Sequence, residues 1–231
     1  RYAWGSTDYH DLIHKRIKQL KQFHQELMPT EKCRGVVDTA PILEREFAQM
    51  AGLGWVGKNT MLIHSQQGSY FFLTILLSTA ELDYDQPSTT NHCGTCTACL
   101  DQCPTNAFPA PYVLDATKCI SYLTIEHRGS IPDELKQNMG DWVFGCDICQ
   151  DVCPWNRRGS HSSEPDFVAS ESLNCLDIEQ LFQSDEKSFR ASYRQTPLWR
   201  TKRDGLLRNA AIALGNQLAV EHLGILKNAL Q

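Results

Sequence analysis

Eight of the ten cysteines in this 231-residue chain fall into two groups that each end in Cys-Pro. The first reads Cys93-x2-Cys96-x2-Cys99-x3-Cys103-Pro104; the second reads Cys146-x2-Cys149-x3-Cys153-Pro154, with Cys119 upstream. A cubane cluster needs four thiolates at the corners of a tetrahedron. Cysteines at steps of three wrap a tight turn around three irons, and a further cysteine held just before proline points away from its own run toward a second cluster. Crossed ligation of this kind assigns Cys93, Cys96, Cys99 and Cys153 to one [4Fe–4S] cluster, and Cys103, Cys119, Cys146 and Cys149 to another. The second run is irregular. A regular one would carry cysteine at position 143, where Val143 stands, so Cys119 is the substitute, with 26 residues between it and Cys146.

This is the ligand pattern of bacterial-type 2[4Fe–4S] ferredoxins, written twice, and it implies single-electron transfer at low potential. Other cysteine chemistries fit less well. Four-cysteine zinc sites also use Cys-x2-Cys pairs, but they require neither the third cysteine at the next step nor two Cys-Pro endings. A thioredoxin-like pair would be a lone Cys-x-x-Cys beside a βαβ pattern. A disulfide framework belongs to small secreted chains. Cys33 and Cys175 stand alone and read as ordinary packed thiols.

A hydrophobic fraction of 42% and a charged fraction of 21% are those of a water-soluble domain protein. The sequence has no apolar run of membrane-spanning length; its longest apolar stretch, Tyr70 to Leu77, is of strand length and contains Thr74. Cluster-bound cysteines favour a reducing, cytoplasmic setting. The chain begins with Arg1 and ends within a helical pattern, so it reads as a piece of a longer protein, expected to act as a monomer. The net charge of −5 argues globally against nucleic acid. Locally, however, Lys187, Arg190, Arg194, Arg200, Lys202, Arg203 and Arg208 are opposed only by Asp204, and a basic stripe of this kind can bind phosphates. The alternative is a solvated helix face.

The order of elements predicts an α+β chain in three segments: 1–85, mixed helix and strand; 86–157, the cluster segment; and 158–231, a polar linker followed by helices. Asp11–Leu27 reads as an amphipathic helix with Leu12, Ile17, Leu20, Phe23 and Leu27 on its apolar stripe. Arg34–Asp38 reads as a strand, and Ile42–Ala51 as a helix begun by Pro41 and stopped by Gly52. Thr60–His64 and Ser69–Ser78 read as strands joined by a turn at Gln66-Gln67-Gly68. Cys119–His127 and Pro132–Met139 read as short helices. Leu206–Leu218 and Val220–Leu230 read as an antiparallel helix pair resembling one unit of a helical repeat.

Two motifs carry less than they suggest. Gly52-Leu-Gly54-Trp-Val-Gly57 matches G-x-G-x-x-G, but a helix is expected before it and a strand after it, the reverse of a dinucleotide site. His10 and His14 are four apart on the first helix, with neither an adjacent Glu nor a third ligand in view.

Longer stretches carry a family resemblance. The segments Arg1 to His10, Val37-Asp-Thr-Ala-Pro-Ile-Leu-Glu-Arg45, Gly52 to Asn59, both cysteine runs, Cys119 to Glu126 and Leu207 to Asn216 resemble epoxyqueuosine reductase along nearly the whole chain. The resemblance implies a nitroreductase-like cobalamin domain, of which residues 1–85 would be the later part, a 2[4Fe–4S] ferredoxin domain at 86–157, and a HEAT-like tRNA-binding segment at 158–231. It further implies reductive deoxygenation of epoxyqueuosine to queuosine in a tRNA anticodon loop. Electrons from an external low-potential donor would pass through the clusters to cobalamin, whose reduced form opens the epoxide. The alternatives are a plain ferredoxin-type electron carrier and a corrinoid reductive dehalogenase, which shares the cobalamin–ferredoxin layout.

By the same resemblance, Asp38 is the proton donor, a role that calls for a raised carboxyl pKa; read without it, Asp38 is a helix N-terminal cap ahead of Pro41. Contacts to cobalamin are expected from Arg1, Asp38, Lys58, Asn59, Leu62, Ser69, Glu126, Cys146 and Asp147. The D-x-H-x-x-G pattern of histidine-ligated cobalamin is broken, because Ile13 stands where glycine should follow Asp8-x-His10. A cobalamin without a histidine ligand is therefore expected. Arg200, Lys202, Arg203 and Arg208 are the expected tRNA phosphate contacts.

Overall fold

The computed structural model describes residues 2–5, 7–38, 40–159, 162–169 and 176–218, together with Gly224 and Lys227. Arg1, Cys175 and nearly all of the expected Val220–Leu230 helix lie outside the described residues.

The first helix, α1 (Tyr9–Leu27), starts two residues earlier than the apolar spacing indicates, because the Asp8 side chain caps it by accepting from the His10 amide. Leu12, Ile17 and His24 turn inward, whereas Leu20, Phe23 and Leu27 stay 46%, 57% and 62% exposed. The buried stripe is thus narrower than the sequence suggests. It is as wide as the two-stranded sheet beneath it, where β1 (Cys33–Val36) pairs antiparallel with β4 (Ile75–Ser78), Val36 opposite Ile75. Among the described residues nothing larger backs the helix.

Between these strands lie α2 (Glu44–Met50), β2 (Trp55–Val56) and β3 (Leu62–Ile63). Gly52, at φ +71°, ends α2 in the left-handed conformation that glycine adopts without strain. Gly54 presses against the backbone of Ile63, so a Cβ there would collide with the β2–β3 pair. The glycines of G-x-G-x-x-G therefore serve a helix-to-strand turn, and no dinucleotide-binding unit forms. The expected hairpin is half realised. His64 and Gly68 do bridge across the Gln66–Gln67 turn. Beyond it the chain departs, because the Ser69 amide and hydroxyl are drawn to Asn156 and Gln150, and Ile75–Ser78 takes β1 as its partner instead.

The cluster segment carries only short helices: α3 (Ala98–Asp101), α4 (Ile120–Ile125), α5 (Asp133–Lys136), which runs into a 3-10 turn to Met139, and α6 (Ile148–Asp151). Ile120, Leu123, Ile131 and Met139 form a small core against Trp142, Cys146 and Ile212. The C-terminal segment holds α7 (Ile178–Gln183), α8 (Glu186–Tyr193), a 3-10 turn at Pro197–Thr201 and α9 (Lys202–Asn216), which starts four residues before the expected Leu206. A second core of Leu181, Phe189, Leu198, Leu206 and Ala210 closes over Val143 and Phe144. Val143 thus fills a packing position at the point where a regular ligand run would place a cysteine.

Helix α9 is also a hydrogen-bonding girder. Asn209 is fully buried and donates to the carbonyls of Thr124 and Val143 at 2.8 and 2.9 Å. Asn216 donates to those of Lys136 and Gly140. The Arg208 guanidinium is saturated: Nε and Nη2 reach Asn209 Oδ1, Nη2 also reaches Leu123 O, and Nη1 takes the carbonyls of His127 and Gly129. This corrects its expected role as a tRNA contact, since all five of its donors are committed to the interior. Replacing Asn209 by Ala orphans two carbonyls in the core. It is expected to cost about 2–4 kcal/mol and to lower the thermal midpoint by several degrees, with Arg208→Ala doing the same. A calorimetric midpoint unchanged in both variants would show that the girder carries no stability.

Candidate active site and cluster centres

The two cysteine groups assemble with the crossed partition. A cavity of about 230 Å³ is lined by Cys93, Cys96, Cys99 and Cys153 together with Ile63, Pro154 and Trp155. Burial raises the Cys99 thiol pKa, and the nearby Cys93, Cys153 and Cys96 raise it further. Burial likewise raises that of Cys153, beside Cys93 and Cys96. In the other group, burial pushes Cys146 up to about 12, with Cys119 and Cys103 adding to the shift. Cys149 is raised too, by burial first and then by Cys146, Cys119, Cys99 and Cys103. The influence of Cys99 on it marks the side on which the two groups meet.

The crossing has a backbone cause. Cys153 lies at φ −70°, ψ 123°, the extended conformation that a following proline imposes, and this turns it out of the α6 turn toward the first run. Cys119 sits in an extended N-terminal position ahead of α4.

The nine described cysteines are all free thiols. Among the described residues no three His, Cys, Asp or Glu side chains converge closely enough to hold a single metal ion. A tetrahedral zinc site places every sulfur about 2.3 Å from one point; a cubane spreads its thiolates over four irons. Two sets of four cysteines, all but the exposed Cys96 at least partly buried, are gathered as a pair of cubane clusters would need them.

Neighbouring residues shape these loops. Lys58 Nζ donates to the carbonyls of Gly94 and Cys96 at 2.7 and 2.9 Å, and the buried Asn59 donates to Cys149 O. Trp55 and Trp155 meet edge-on at 4.9 Å beside Cys153 and Cys93.

A second constellation surrounds Asp38, which follows β1 at φ +45°, a left-handed conformation that aspartate tolerates better than most residues. Its Oδ2 accepts from Tyr9 Oη at 2.8 Å and from Arg200 Nη1 at 3.1 Å, and lies 3.2 Å from His10 Nε2. Its amide donates to Glu44 Oε1. The cap of α2 falls at Leu43, so Asp38 is not a helix cap. Burial raises the Asp38 pKa, but hydrogen bonds from Tyr9, Arg200 and His10 and the Arg200 charge outweigh it, and the carboxyl is held below its ordinary range. The raised pKa expected of a lone proton donor is therefore corrected: here Asp38 is a carboxylate. With a depressed folded pKa, its contribution to stability is present above the unfolded value near 4 and is lost as pH falls through the folded value.

Arg200 joins Asp38 to Glu126, whose Oε1 lies 2.6 Å from Arg200 Nε. The Arg200 carbonyl is in turn held by Arg128 Nη2. Around this hub Tyr9 stacks between Phe72 at 4.2 Å and His10 at 4.1 Å, and Tyr2 packs edge-on to Tyr9, Phe72 and Phe144. Beside the hub lies a groove with a cavity of about 150 Å³, to whose lining Asp38, Leu62, Ser69, Arg45, Phe71 and Phe72 all contribute.

The structure thus brings Asp38, Leu62 and Ser69 together, with Glu126 attached through Arg200. Lys58 and Asn59 stand at the cluster loops instead of that groove. Cys146 stands with Cys119 and Cys103, and Asp147 bears on Tyr2 from that side. Arg200 is bound to carboxylates, Lys202 Nζ sits over the Trp199 ring at 4.1 Å, and Arg203 Nε donates to Ser184 O. Sequence reasoning assigned His10 no role and left Tyr9 and Arg128 unmentioned. The Asp8-Tyr9-His10 triplet, at the start of a helix facing Asp38, was the one available signal.

Comparison with known proteins accords with this arrangement. A family model described as a 4Fe-4S double cluster binding domain matches residues 92–156, and one described as epoxyqueuosine reductase QueG, DUF1730 matches residues 1–39. The chain is 48% identical to an epoxyqueuosine reductase of Pseudomonas aeruginosa over 94% of its own length and 60% of that protein's. It is 44% identical to one of Cellulophaga algicola over 90% of its own length and 68% of that protein's. Its fold matches a crystal structure of epoxyqueuosine reductase with an epoxyqueuosine-modified tRNA-Tyr stem loop, at a TM-score of 0.91 and 30% identity, covering 97% of this chain and 59% of that one. The chain therefore spans about 60% of the Pseudomonas relative.

Crossed ligation predicts which cysteines are lost together. Cys153→Ala is expected to remove the cluster held by Cys93, Cys96 and Cys99, and Cys103→Ala the one held by Cys119, Cys146 and Cys149. Each should leave about half the iron and one EPR signal of the reduced pair, with a different signal surviving in each variant. Cys96→Ala should retain the same signal as Cys153→Ala; a Cys96→Ala variant that instead retains the signal of Cys103→Ala would mean that each run holds its own cluster.

Proposed function

The chain belongs to the epoxyqueuosine reductase family, and from that membership we propose that it reduces epoxyqueuosine to queuosine in the anticodon loop of tRNA. The observation that carries this reading is the meeting, on one scaffold, of two four-cysteine groups and a carboxylate ringed by proton donors. The net change takes two electrons and two protons. The cysteine groups hold clusters that pass the electrons singly, from an external low-potential donor; the Asp38 constellation handles protons.

Residues 1–85 read as the later part of a nitroreductase-like cobalamin domain, 86–157 as the ferredoxin domain and 158–231 as a HEAT-like segment. A cobalamin fits the groove beside Asp38 only along an edge, against Leu62, Phe71, Phe72 and Ser69, because the cavity of about 150 Å³ is far smaller than the whole cofactor. Bound there, cobalamin supplies a strongly reducing, nucleophilic cobalt centre for opening the epoxide. The protein's part is to orient the substrate oxygen at Asp38, to exclude water with the Tyr2–Tyr9–Phe72 wall, and to deliver a proton as oxygen leaves.

Arg200, Lys202 and Arg203 are the proposed phosphate contacts. Lys202, stacked on Trp199, adds a cation held against an aromatic face.

Protein reconstituted anaerobically with iron, sulfide and cobalamin is expected to convert epoxyqueuosine in tRNA to queuosine, read by nucleoside mass spectrometry. Asp38→Asn should slow single turnover by roughly 10²–10⁴-fold with the clusters intact. Reversing Arg200, Lys202 and Arg203 to Glu should weaken stem-loop binding by on the order of tenfold or more and flatten its salt dependence. A loaded, brown protein that leaves epoxyqueuosine untouched would leave electron carriage alone as the function.

A further inference from the structure

We propose that His10 is the proton carrier for Asp38, oriented by Asp8, so that the His10–Asp38 pair, and not Asp38 alone, supplies the proton consumed when oxygen leaves. This rests on the reading of the Asp38 constellation given above and extends it to residues that reading does not use.

Three groups meet Asp38 Oδ2: Tyr9 Oη, Arg200 Nη1 and His10 Nε2. Burial, and then the bond to Asp38, hold the Tyr9 phenol above its ordinary range, so it keeps its proton. Arg200 stays charged throughout. An imidazole is the only one of the three that gains and loses a proton near neutrality. Asp38 itself, held as a carboxylate by these donors, arrives at the reaction without a proton of its own. The proton must come from the neighbour able to release it.

The second ring nitrogen is tied down as such a carrier requires. Asp8 Oδ1 lies 2.7 Å from His10 Nδ1 and also accepts the His10 amide at 2.9 Å, so one carboxylate oxygen fixes both ring and backbone. The ring is clamped from above by Tyr9, stacked at 4.1 Å with planes 27° apart. His10 therefore sits between two carboxylates with both ring nitrogens engaged, Nδ1 at Asp8 and Nε2 at Asp38. The other charged and titratable groups facing the pair are Tyr2 from the 3-10 turn before α1, Glu44 on the Asp38 amide, and Arg200 with Glu126 behind it.

The step balances. The His10 Nε2–H bond breaks as an O–H bond forms at Asp38 Oδ2. That proton passes on to the substrate oxygen as its first carbon–oxygen bond breaks, returning Asp38 to carboxylate; the second proton, needed for the oxygen to leave as water, follows the same route once His10 is recharged. His10, left neutral, regains a proton from solvent. The two electrons are those the clusters deliver. His10 touches no reacting atom and acts through Asp38, so it is a positioning and relay residue.

The test uses cluster- and cobalamin-loaded protein in single turnover across pH. The wild-type rate is expected to fall as pH rises through the imidazole range. His10→Gln, which keeps a hydrogen bond to Asp38 but carries no proton, should lose that limb and run about 10–100-fold slower below it, with RNA affinity and iron content unchanged. His10→Ala should regain rate when free imidazole is added. A His10→Gln variant that keeps the wild-type pH profile overturns the proposal. A second reading needs no turnover: in the oxidised, diamagnetic protein the hydrogen-bonded His10 Nε2–H resonance should shift in Asp38→Asn while other histidine signals stay put. An unmoved resonance overturns the proposal as well. Failure of the wild-type protein to turn over at all bears instead on the assigned reaction.

Discussion

Eight thiols gather in the middle of this chain, all but the exposed Cys96 at least partly buried. Burial raises the pKa of Cys99, Cys146, Cys149 and Cys153, and their mutual approach raises it further. Burial and mutual approach thus disfavour the thiolate form that a metal ligand must adopt. Iron reverses the sign, because a ligand thiolate bound to a cationic cluster is stabilised by the burial of its neighbours. The apolar cores around these loops are correspondingly small: four buried residues beside the second group and three, one of them Cys153, beside the first. Helices of four residues, such as α3 and α6, are too short to stand on their own. Metal ligation does the work that a packed core does elsewhere.

The C-terminal segment supplies what the clusters do not. The cluster loops end in carbonyls that no regular ladder satisfies, and α9 meets them with side chains. Asn209, Arg208 and Asn216 between them take the carbonyls of Leu123, Thr124, His127, Gly129, Lys136, Gly140 and Val143. A buried amide with two good acceptors is stabilising only while both are present, so loops and helix hold one another. This explains why Leu207-Arg-Asn209 reads as a motif. Its arginine looks like a nucleic-acid contact from composition, yet the geometry commits it inward.

Much of the site was legible in the sequence, because spacing in a ligand run is a geometric statement. The crossed partition, the substitution of Cys119 for a missing cysteine at Val143 and the reversed order around Gly52–Gly57 all follow from steps along the chain. What was not legible depends on partners remote in sequence. Helical periodicity marked Leu20, Phe23 and Leu27 as core, but burial is set by the width of the β1–β4 sheet. Ser69–Ser78 read as a strand returning from a turn, but only Ile75–Ser78 forms one, and its partner is Cys33–Val36, about forty residues earlier. Asp38 was visible as a carboxylate beside a proline motif, whereas its low pKa comes from Tyr9, 29 residues earlier, and from Arg200, 162 residues later.

That long-range contact governs how the parts of the molecule act on one another. Arg200 is anchored at its carbonyl by Arg128 and at its guanidinium by Asp38 and Glu126, so one side chain links the β1 loop, the α4 end and the turn before α9. It faces two carboxylates, and the local balance around it is therefore negative, not positive. An approaching phosphate meets a cation already compensated, and it must compete with carboxylates bonded at 2.6 and 3.1 Å. Any gain at the phosphate is offset by the loss of one of those bonds. If the lost bond is the one to Asp38, the strongest charge holding that carboxyl down is withdrawn at the same moment, and its proton affinity rises. Occupancy of Arg200 and protonation of Asp38 are thus thermodynamically linked through a shared guanidinium, and linkage of this kind is reciprocal. A protonated Asp38 releases Arg200 as readily as a displaced Arg200 favours a protonated Asp38.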